Sequence, residues 1–436
     1  MTPASRQKLI DSLYVGLLVL YVLAGMMLTP FHGDEATIIY MSKDWYLLTV
    51  QHDLPQVLYR EGITDPRLSN DQEFRLENGV ISKYAIGVAW TLAGLTIHDI
   101  TDPWFWGADY NDNQAHGHIP TPAMRFAARL SSTLMLALSV AIVFAISKQL
   151  GGRSTAWIGA FVYATLPALL LNSRRAMFEG ATALAITLIL LAGVGIARRL
   201  QRGDGARSLW IGWLWFGAAS GFCIGAKHSL LLVIAAIGVM LLILSWRNLL
   251  RTVGYAFVAG LLALTIFMAI NPAWWSQPLR MPAYVAGLRA GILKVQVDIF
   301  GGWTNNGDRI TALVRYPFGE AQYFEDKADW AAWIGTQIAA YSQSPWGGIV
   351  WDRFGIVVYP LLAVGVIALL WVRKPPQILF LGTLILTVGQ VFVLTPLPWQ
   401  RYYLLLAAPW SVTLGIGVTA CWRFAVNYRR KALRPV

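Results

Sequence analysis

Long apolar runs recur along the chain and constrain its fold more than any other feature. A helix needs about 20 residues to cross the roughly 30 Å hydrocarbon core of a bilayer, because it rises about 1.5 Å per residue. Ten runs approach this length: 11–30, 123–147, 155–171, 177–197, 209–226, 229–246, 253–270, 351–371, 377–394 and 402–422. The sequence therefore predicts an all-α, polytopic membrane protein with about ten transmembrane helices.

The composition agrees with a membrane protein. Charged residues make up 13% of the 436 positions, against about 25% in a typical soluble domain. A formal net charge of +12 would suggest nucleic acid as a partner if the protein were soluble. In a membrane protein the positions of the charges carry more information than their sum.

The charges are divided unevenly between the two sets of connecting segments. If the amino terminus is cytoplasmic, the inside segments carry only two acids, Asp11 and Asp204. Their cations number 17: Arg6, Lys8, Lys148, Arg153, Arg198, Arg199, Arg202, Arg207, Arg247, Arg251, Arg373, Lys374, Arg423, Arg429, Arg430, Lys431 and Arg434. The inside net is +15, which leaves −3 for the other face out of the total of +12. The positive-inside rule then predicts cytoplasmic termini, a plasma (inner) membrane location and no nucleic-acid partner.

Two outer loops, 31–122 and 271–350, are far longer than the other connections. Loops longer than about 15 residues usually carry function. We therefore expect one transmembrane domain, 1–436, whose active-site face is formed by these two loops. In the second loop, "YFEDKADWAAWIG" indicates a helix that begins near Glu325.

The first loop contains apolar patterns of its own. After Gly33, the spacing of Ile38, Met41, Trp45 and Leu48 predicts an amphipathic juxtamembrane helix. The apolar stretch 84–97 predicts a second interfacial or re-entrant helix, since it is too short to span comfortably. Between them, "TDPRLSNDQEFRLENG" is polar and turn-rich, which favours a mobile or ligand-ordered segment.

Charged residues gather where the predicted spans meet the outer loops. Charges close to lipid are costly and often functional. They are Asp34, Glu35, Lys83, Arg125, Arg129, Arg174, Arg175, Glu179, Lys227, His228 and Arg401. Cations can stabilise a departing phosphate, and a carboxylate can take the proton of an attacking hydroxyl. This combination suits the transfer of a group from a membrane-anchored phosphate, and no convincing GxSxG, HExxH or GxxxxGK[ST] motif indicates another mechanism.

Each of these residues also has a structural interpretation. Asp34 could serve as a helix N-cap with Glu35 in the first turn. Arg174, Arg175 and Arg401 could anchor span ends by snorkelling. The spacing of His116 and His118 can bind metal, but no third ligand is evident, so a solvated loop is favoured. No cofactor is indicated, and a divalent metal is left open.

The pattern resembles the GT-C glycosyltransferases that use polyprenyl-phosphate sugars, in the branch of protein O-mannosyltransferases and lipid A aminoarabinose transferases. The resemblance covers roughly 10–280 and returns at 395–415. Its marks are "GDEATIIYMSKDW" after the first run, 125–152, 166–193, "GAKHSLLLVIAAIGVMLLI", "NPAWWSQP" and "PLPWQRYYLLLAAPW". Their order and spacing along the chain carry the match, because single apolar helices resemble one another.

The resemblance implies roles for eight residues. The acid after the first span, Asp34, corresponds to the family's proposed general base, and Glu35 and Glu179 would assist catalysis or position the acceptor. Lys83, Lys227 and Arg401 occupy positions where phosphate contacts are expected, and Arg174 and Arg175 complete the expected phosphate-binding set. Two departures stand out: no proline follows Lys83, and Glu179 replaces the commoner aspartate.

The sequence therefore predicts a membrane glycosyltransferase with an outer-face active site and no obligatory metal. It would move a sugar from a polyprenyl-phosphate donor to a hydroxyl of a protein, lipid or glycan, with inversion. The alternatives are a transporter or flippase for a lipid-linked sugar, or a non-catalytic membrane scaffold. A transporter would place ionisable residues near mid-membrane, often in inverted repeats, whereas here they favour the outer rim.

Overall fold

A computed structural model of the chain describes residues 2–324 and 332–432, and within these ranges it contains helices and loops but no strand. The α-helices are α1 Pro3–Ala24, α2 Gly33–Met41, α3 Lys43–Thr49, α4 Leu54–Val57, α5 Pro66–Glu77, α6 Val80–Leu92, α7 Tyr110–Ala115, α8 Pro122–Gly151, α9 Arg153–Ala164, α10 Pro167–Arg174, α11 Glu179–Arg202, α12 Ala206–Ala226, α13 Leu231–Leu244, α14 Leu249–Ile270, α15 Met281–Phe300, α16 Asn306–Phe318, α17 Gly335–Ser342, α18 Gly355–Val372, α19 Pro375–Leu394 and α20 Ala407–Ala432. The start of the helix expected near Glu325 lies outside the described residues.

Eight helices of the described residues are long and apolar enough to cross a membrane. They are α1, α8, α11, α12, α14, α18, α19 and α20, the last extended by a 3-10 turn at Gln400–Leu406. They account for eight of the ten predicted runs. The predicted all-helical class is confirmed, and the two remaining runs take other forms.

The run at 155–171 is a bent pair, because α9 and α10 meet at 60°. Pro167 opens α10, and the residue before it, Leu166, has the extended conformation that a following proline favours. The run at 229–246 becomes α13, whose 14 residues reach only about 21 Å at 1.5 Å per residue. The count of about ten full spans is therefore too high, and up to nine fit the described residues.

The bundle has a buried centre and an exposed periphery. In α11, 78% of the most apolar stretch is buried, against 17% in α1 and α14. Helices α18 and α20 pack closely through glycine, since a Cβ atom at Gly417 would overlap the carbonyl oxygen of Leu361. In a membrane the hydrophobic effect does not drive helices together, because the lipid tails are themselves apolar. Small residues of this kind instead let helix backbones approach closely enough for van der Waals contact.

The first long loop is mostly helical. The predicted amphipathic helix is present as two pieces, α2 and α3, and Ser42 separates them. The predicted interfacial helix is α6. The expectation that 64–79 is turn-rich is wrong, because Pro66–Glu77 form α5, and the ordering of this segment by a ligand stays a prediction.

Buried ion pairs explain why the polar α5 is ordered. Its first turn is capped by the Asp65 carboxylate. Arg75 donates from Nε to Asp44 at 2.8 Å, and Asp71 accepts from Lys43 at 2.7 Å. These contacts fix α5 against α3 and the end of α2, so the polar face that suggests a loop is instead an interface.

Candidate active site

The N-terminus of α2 is capped by His32, and this leaves the Asp34 side chain out of the cap. The Asp34 backbone N–H donates to Nδ1 of His32 at 3.1 Å, and the His32 N–H donates to the Glu35 carboxylate at 3.2 Å. The interpretation of Asp34 as the N-cap is therefore wrong. Both acids sit in the first turn, where the helix dipole favours negative charge.

The Asp34 carboxylate pairs with an arginine from the far end of the chain. Arg401 donates from Nη1 to Oδ2 of Asp34 at 2.5 Å. The Asp34 side chain stays 29% exposed and that of Arg401 is 13% exposed. The structure thus joins the first outer loop to the short segment before α20 at one partly open ion pair.

Three cations surround the ring of Tyr402. Lys227 Nζ lies 5.8 Å from the ring centroid, and the guanidinium carbons of Arg289 and Arg401 lie 6.0 and 5.8 Å from it. Arg289 also donates to the Tyr402 hydroxyl at 3.2 Å. We call Asp34, Lys227, Arg289, Arg401 and Tyr402 the rim. Such a concentration of positive charge beside a carboxylate fits an anionic ester group.

Lys227 and Glu179 meet at the edge of the rim. Lys227 has an extended backbone at the break between α12 and α13, and Glu179 is the first residue of α11. Lys227 Nζ is 3.7 Å from Glu179 Oε1. Burial lowers the pKa of Lys227, Glu179 opposes this, and the charges of Arg289 and Arg401 add to the lowering. Glu179 therefore lies beside the predicted phosphate-binding cations.

The rim residue Arg289 and its neighbour Glu77 were not expected from the sequence. Arg289 donates to Glu77 at 3.0 Å. Burial raises the pKa of Glu77, Arg289 opposes this, and the nearby negative charge of Asp34 raises it further. Glu77 ends α5, which was interpreted as a loop. The signal that could have found Arg289 is its place among the apolar residues of α15.

The Glu35 carboxylate is buried and bound by other residues of the protein. It is fully buried, accepts two hydrogen bonds of 2.7 Å from Arg129, and accepts one of 3.0 Å from the Ala176 N–H. Burial raises the pKa of Glu35, but the charges and hydrogen bonds of Arg129 and the charge of Arg175 hold it below its usual value. This geometry does not support the predicted assisting role, and we treat Glu35 as a positioning residue behind Asp34.

Arg174 and Arg175 are also buried within the protein. Arg174 donates to the carbonyl oxygens of Tyr21, Val22 and Trp346 at 2.9, 2.8 and 2.5 Å. Arg175 donates to the carbonyl oxygens of Pro30 and Tyr323 at 3.1 and 3.0 Å. Because both guanidinium groups are buried and bind backbone carbonyl oxygens, the structure does not support their assignment to the phosphate-binding set.

Lys83 lies behind the rim. Its side chain is fully buried, and its Nζ makes no hydrogen bond to the residues that the structure describes. Burial lowers the pKa of Lys83 to about 8, Asp44 opposes this and Arg75 adds to it. A Cβ atom at Gly79 would overlap the carbonyl oxygen of Ala226, so the start of α6 touches the end of α12 beside Lys227. The phosphate contact of Lys83 stays a prediction.

The histidine pair forms hydrogen bonds within its own loop. His116 and His118 use Nδ1 to contact the carbonyl oxygens of Asp112 and Pro103, both at 2.8 Å. Within residues 2–324 and 332–432, no group of three His, Cys, Asp or Glu side chains is arranged to hold a metal ion.

Comparison with known families identifies part of the chain. Residues 68–278 match the family model described as dolichyl-phosphate-mannose-protein mannosyltransferase. This stretch, just under half of the chain, is similar to that family. It contains Lys83, Glu179 and Lys227, whereas Asp34 and Arg401 lie outside it. The resemblance inferred from the sequence is confirmed, and no curated protein matches the chain.

A solved structure shares the fold of this chain. The apo crystal structure of the Archaeoglobus fulgidus oligosaccharyltransferase matches with a TM-score of 0.50 and 13% identity, covering 96% of this chain and 51% of that chain. At such identity the likeness shows the fold alone. Together, the apolar helices and the family identify a multi-pass membrane protein.

Two further structures are similar at lower scores. The A. fulgidus oligosaccharyltransferase AglB, in complex with an inhibitory peptide and a dolichol-phosphate, has a TM-score of 0.45 and 12% identity over 98% of this chain and 52% of that chain. The Saccharomyces cerevisiae protein O-mannosyltransferase Pmt1-Pmt2 complex, bound to the sugar donor, has a TM-score of 0.37 and 11% identity over 72% and 37%. The chain spans about half the length of the oligosaccharyltransferase structures.

Proposed function

We propose that the protein is a membrane glycosyltransferase that moves a sugar from a polyprenyl-phosphate donor to a hydroxyl acceptor. The observation that carries this proposal is the rim, where the partly exposed Asp34 carboxylate pairs with Arg401 beside Lys227 and Arg289. The family region and the two relatives whose complexes contain a dolichol-phosphate or a sugar donor support the donor class.

In this mechanism Asp34 accepts the proton of the acceptor hydroxyl as its oxygen attacks the anomeric carbon. The bond between that carbon and the phosphate oxygen breaks, and the phosphate leaves with the electron pair. Arg401, Lys227 and Arg289 stabilise the negative charge on the departing phosphate. A single displacement of this kind inverts the anomeric configuration. Tyr402 supplies an aromatic face on which the sugar can stack.

We further propose that residues 1–436 act as one domain in a plasma (inner) membrane, with cytoplasmic termini and the rim on the outer face. The charge asymmetry of +15 against −3 supports this orientation. The site then faces the compartment from which an exported acceptor would come. A protein, lipid or glycan hydroxyl would serve equally well as the nucleophile.

Transfer from a labelled donor to endogenous acceptors tests the proposal. Membranes that contain the wild-type chain or its Asp34→Asn variant are supplied with a panel of undecaprenyl-phosphate sugars labelled in the sugar. We expect the wild type to transfer label to an acceptor and release undecaprenyl phosphate, and Asp34→Asn to bind donor without transfer. The matched control is Asp298→Asn, which changes an exposed acid of the second outer loop.

Two results would contradict the proposal. One is full transfer by Asp34→Asn, which would remove Asp34 from the base role. The other is movement of intact donor across vesicle membranes without release of undecaprenyl phosphate, which is the behaviour of a transporter or flippase. The positions of the described charged residues argue against transport, since the rim lies at helix ends rather than in mid-span.

A further inference from the structure

A basic cleft lies at the opposite end of the bundle from the rim. Helix α11 begins at Glu179 beside Lys227 and ends at Arg202, which places its two ends roughly 35 Å apart at 1.5 Å per residue. Near that second end, α8, α11 and α12 enclose a cavity of about 960 Å³. The proposed sugar transfer makes no use of this space.

The cleft is amphipathic along its length. Its deeper part is lined by apolar side chains, among them Leu188, Leu191 and Ala192, and its mouth by Arg198, Arg199 and Arg202. From Leu188 to Arg202 the wall is roughly 21 Å long at 1.5 Å per residue. Apolar depth below a charged mouth matches the acyl chains and phosphate of a lipid that lies upright in one leaflet.

The charge at the mouth is not neutralised by the protein. In the part of the chain that the structure describes, the side chains of Arg198, Arg199 and Arg202 form no ion pair or hydrogen bond. The acid in the lining, Asp204, accepts a hydrogen bond from Ser208 at 2.9 Å. The mouth therefore carries an excess of positive charge over a largely apolar space.

One guanidinium group lies inside the cleft rather than out in solvent. A Cβ atom at Gly195 would lie 3.2 Å from Nη1 of Arg199, and one at Gly212 would lie 3.4 Å from it. The Arg199 side chain thus lies against Gly195 of α11 and Gly212 of α12. A basic residue that merely followed the positive-inside rule would need neither these glycines nor a cavity.

We propose that this cleft binds an anionic phospholipid, with its phosphate on Arg198, Arg199 and Arg202 and an acyl chain against Leu188, Leu191 and Ala192. Basic pockets between transmembrane helices are a known means of holding acidic headgroups. The lipid fills the gap between α8, α11 and α12. At their opposite ends, α11 begins at Glu179 and α12 ends next to Lys227 of the candidate site. This inference is independent of the sugar chemistry at the rim.

Binding of phosphatidylglycerol to the purified full chain in nonionic detergent tests the proposal, with phosphatidylcholine of the same acyl chains as the comparison lipid. Native mass spectrometry reports the fraction bound at each lipid concentration. We expect the wild type to bind phosphatidylglycerol at least about tenfold more tightly, since each nearby cation contributes on the order of 1 kcal/mol. Replacing all three mouth arginines by glutamine should remove that preference.

Matched variants separate this cleft from general surface charge. Arg251→Gln removes an exposed cation at the same end of the bundle, on α14, and should leave the preference intact. Ala192→Trp fills the apolar part without changing charge and should weaken binding at least about fivefold, in line with the loss of one acyl-chain contact. Val239→Trp, at an exposed position of α13, should have no such effect.

Three outcomes would overturn the proposal. They are equal loss in Arg251→Gln and the triple variant, unchanged binding by Ala192→Trp, and equal competition by glycerol 3-phosphate, which has the phosphate but no acyl chain. If the triple variant fails to fold, Arg199→Gln and Ala192→Trp decide the question, because each changes a single lining residue. Both variants must then weaken the binding of phosphatidylglycerol more than the binding of phosphatidylcholine.

Discussion

Asp34 and Glu35 are neighbours in the first turn of α2, yet they belong to two different regions of the molecule. Asp34 turns towards the rim, pairs with Arg401 and keeps part of its carboxylate exposed. Glu35 turns into the protein, where Arg129 and the Ala176 N–H bind it. We call Glu35, Arg129, Arg174 and Arg175 the buried brace. Both regions are rich in charge and lie at the same end of the bundle.

The comparison shows that charge near a membrane surface has two separate uses. In the buried brace, carbonyl and carboxylate oxygens of the protein bind the guanidinium groups. These bonds tie α1, α2 and α8 to one another and to the end of α10. In the rim, the cations surround an aromatic ring beside a partly exposed acid. Variants of the brace should therefore change stability, and variants of the rim should change activity.

The largest expected effect is on the rate of transfer in Asp34→Asn. Because the amide cannot accept the acceptor's proton, we expect the rate to fall by about 10²- to 10⁴-fold. The stability should stay within the range of the Asp298→Asn control. Initial rates with a labelled donor and thermal unfolding in detergent measure the two quantities. A large loss of stability would show that Asp34, like the residues of the buried brace, mainly stabilises the fold.

Arg129→Met should have the next largest effect, and it should act on stability. Removing the arginine leaves Glu35 buried without its cation, which costs about 3 to 5 kcal/mol. Unfolding in SDS, compared with wild type, measures this loss. The double variant with Glu35→Gln provides the control, since it removes both charges and should be more stable than Arg129→Met alone. Additive losses in the double variant would show that the two residues do not act as a pair.

The burial of Lys83 predicts that the stability of the protein depends on pH. Its pKa is lowered from the usual 10.5 to about 8 by burial, so the unfolded chain holds this proton more tightly than the folded one. The cost of burying the charge is therefore full below pH 8 and disappears as the pH rises to 10.5. Wild-type stability should gain up to roughly 3 kcal/mol across this window.

Lys83→Met should remove that gain and should be more stable than wild type at pH 7. Unfolding in SDS at several pH values measures both effects. Lys374→Met, which changes an exposed lysine, should keep the wild-type profile. If the gain persists in Lys83→Met, another group is responsible for it.

Arg289→Gln tests the rim residue that the sequence did not reveal. A charge-assisted hydrogen bond contributes about 1.5 to 3 kcal/mol, so donor affinity should fall about tenfold or more. Equilibrium binding of an undecaprenyl-phosphate sugar measures this change. Lys294→Gln, at an exposed position of the same helix α15, should bind donor as the wild type does. If both variants bind the donor with equal affinity, the phosphate contacts of the rim are limited to Lys227 and Arg401.

Part of the site could be predicted because local sequence reports which residues lie at helix ends. Asp34, Glu179, Lys227 and Arg401 each follow or precede an apolar run, and the structure brings them to one place. Glu77 could not be found this way, because the polar sequence of α5 gives no sign of the buried pairs at Asp44 and Lys43 that order it. Arg174 and Arg175 were assigned to the phosphate because they are charges at a helix end. In the sequence, such a charge looks the same whether solvent or carbonyl groups surround it.

The membrane class, the helical runs and the face that carries negative charge follow from the amino-acid sequence, because hydropathy and charge balance are sums over local residues. Which charge serves which purpose depends on the packing of the folded chain. Whether a carboxylate stays open, as in Asp34, or is saturated, as in Glu35, depends on partners that lie 367 and 94 residues away, respectively. Such partners are set by the packing of distant helices, and no local pattern records them.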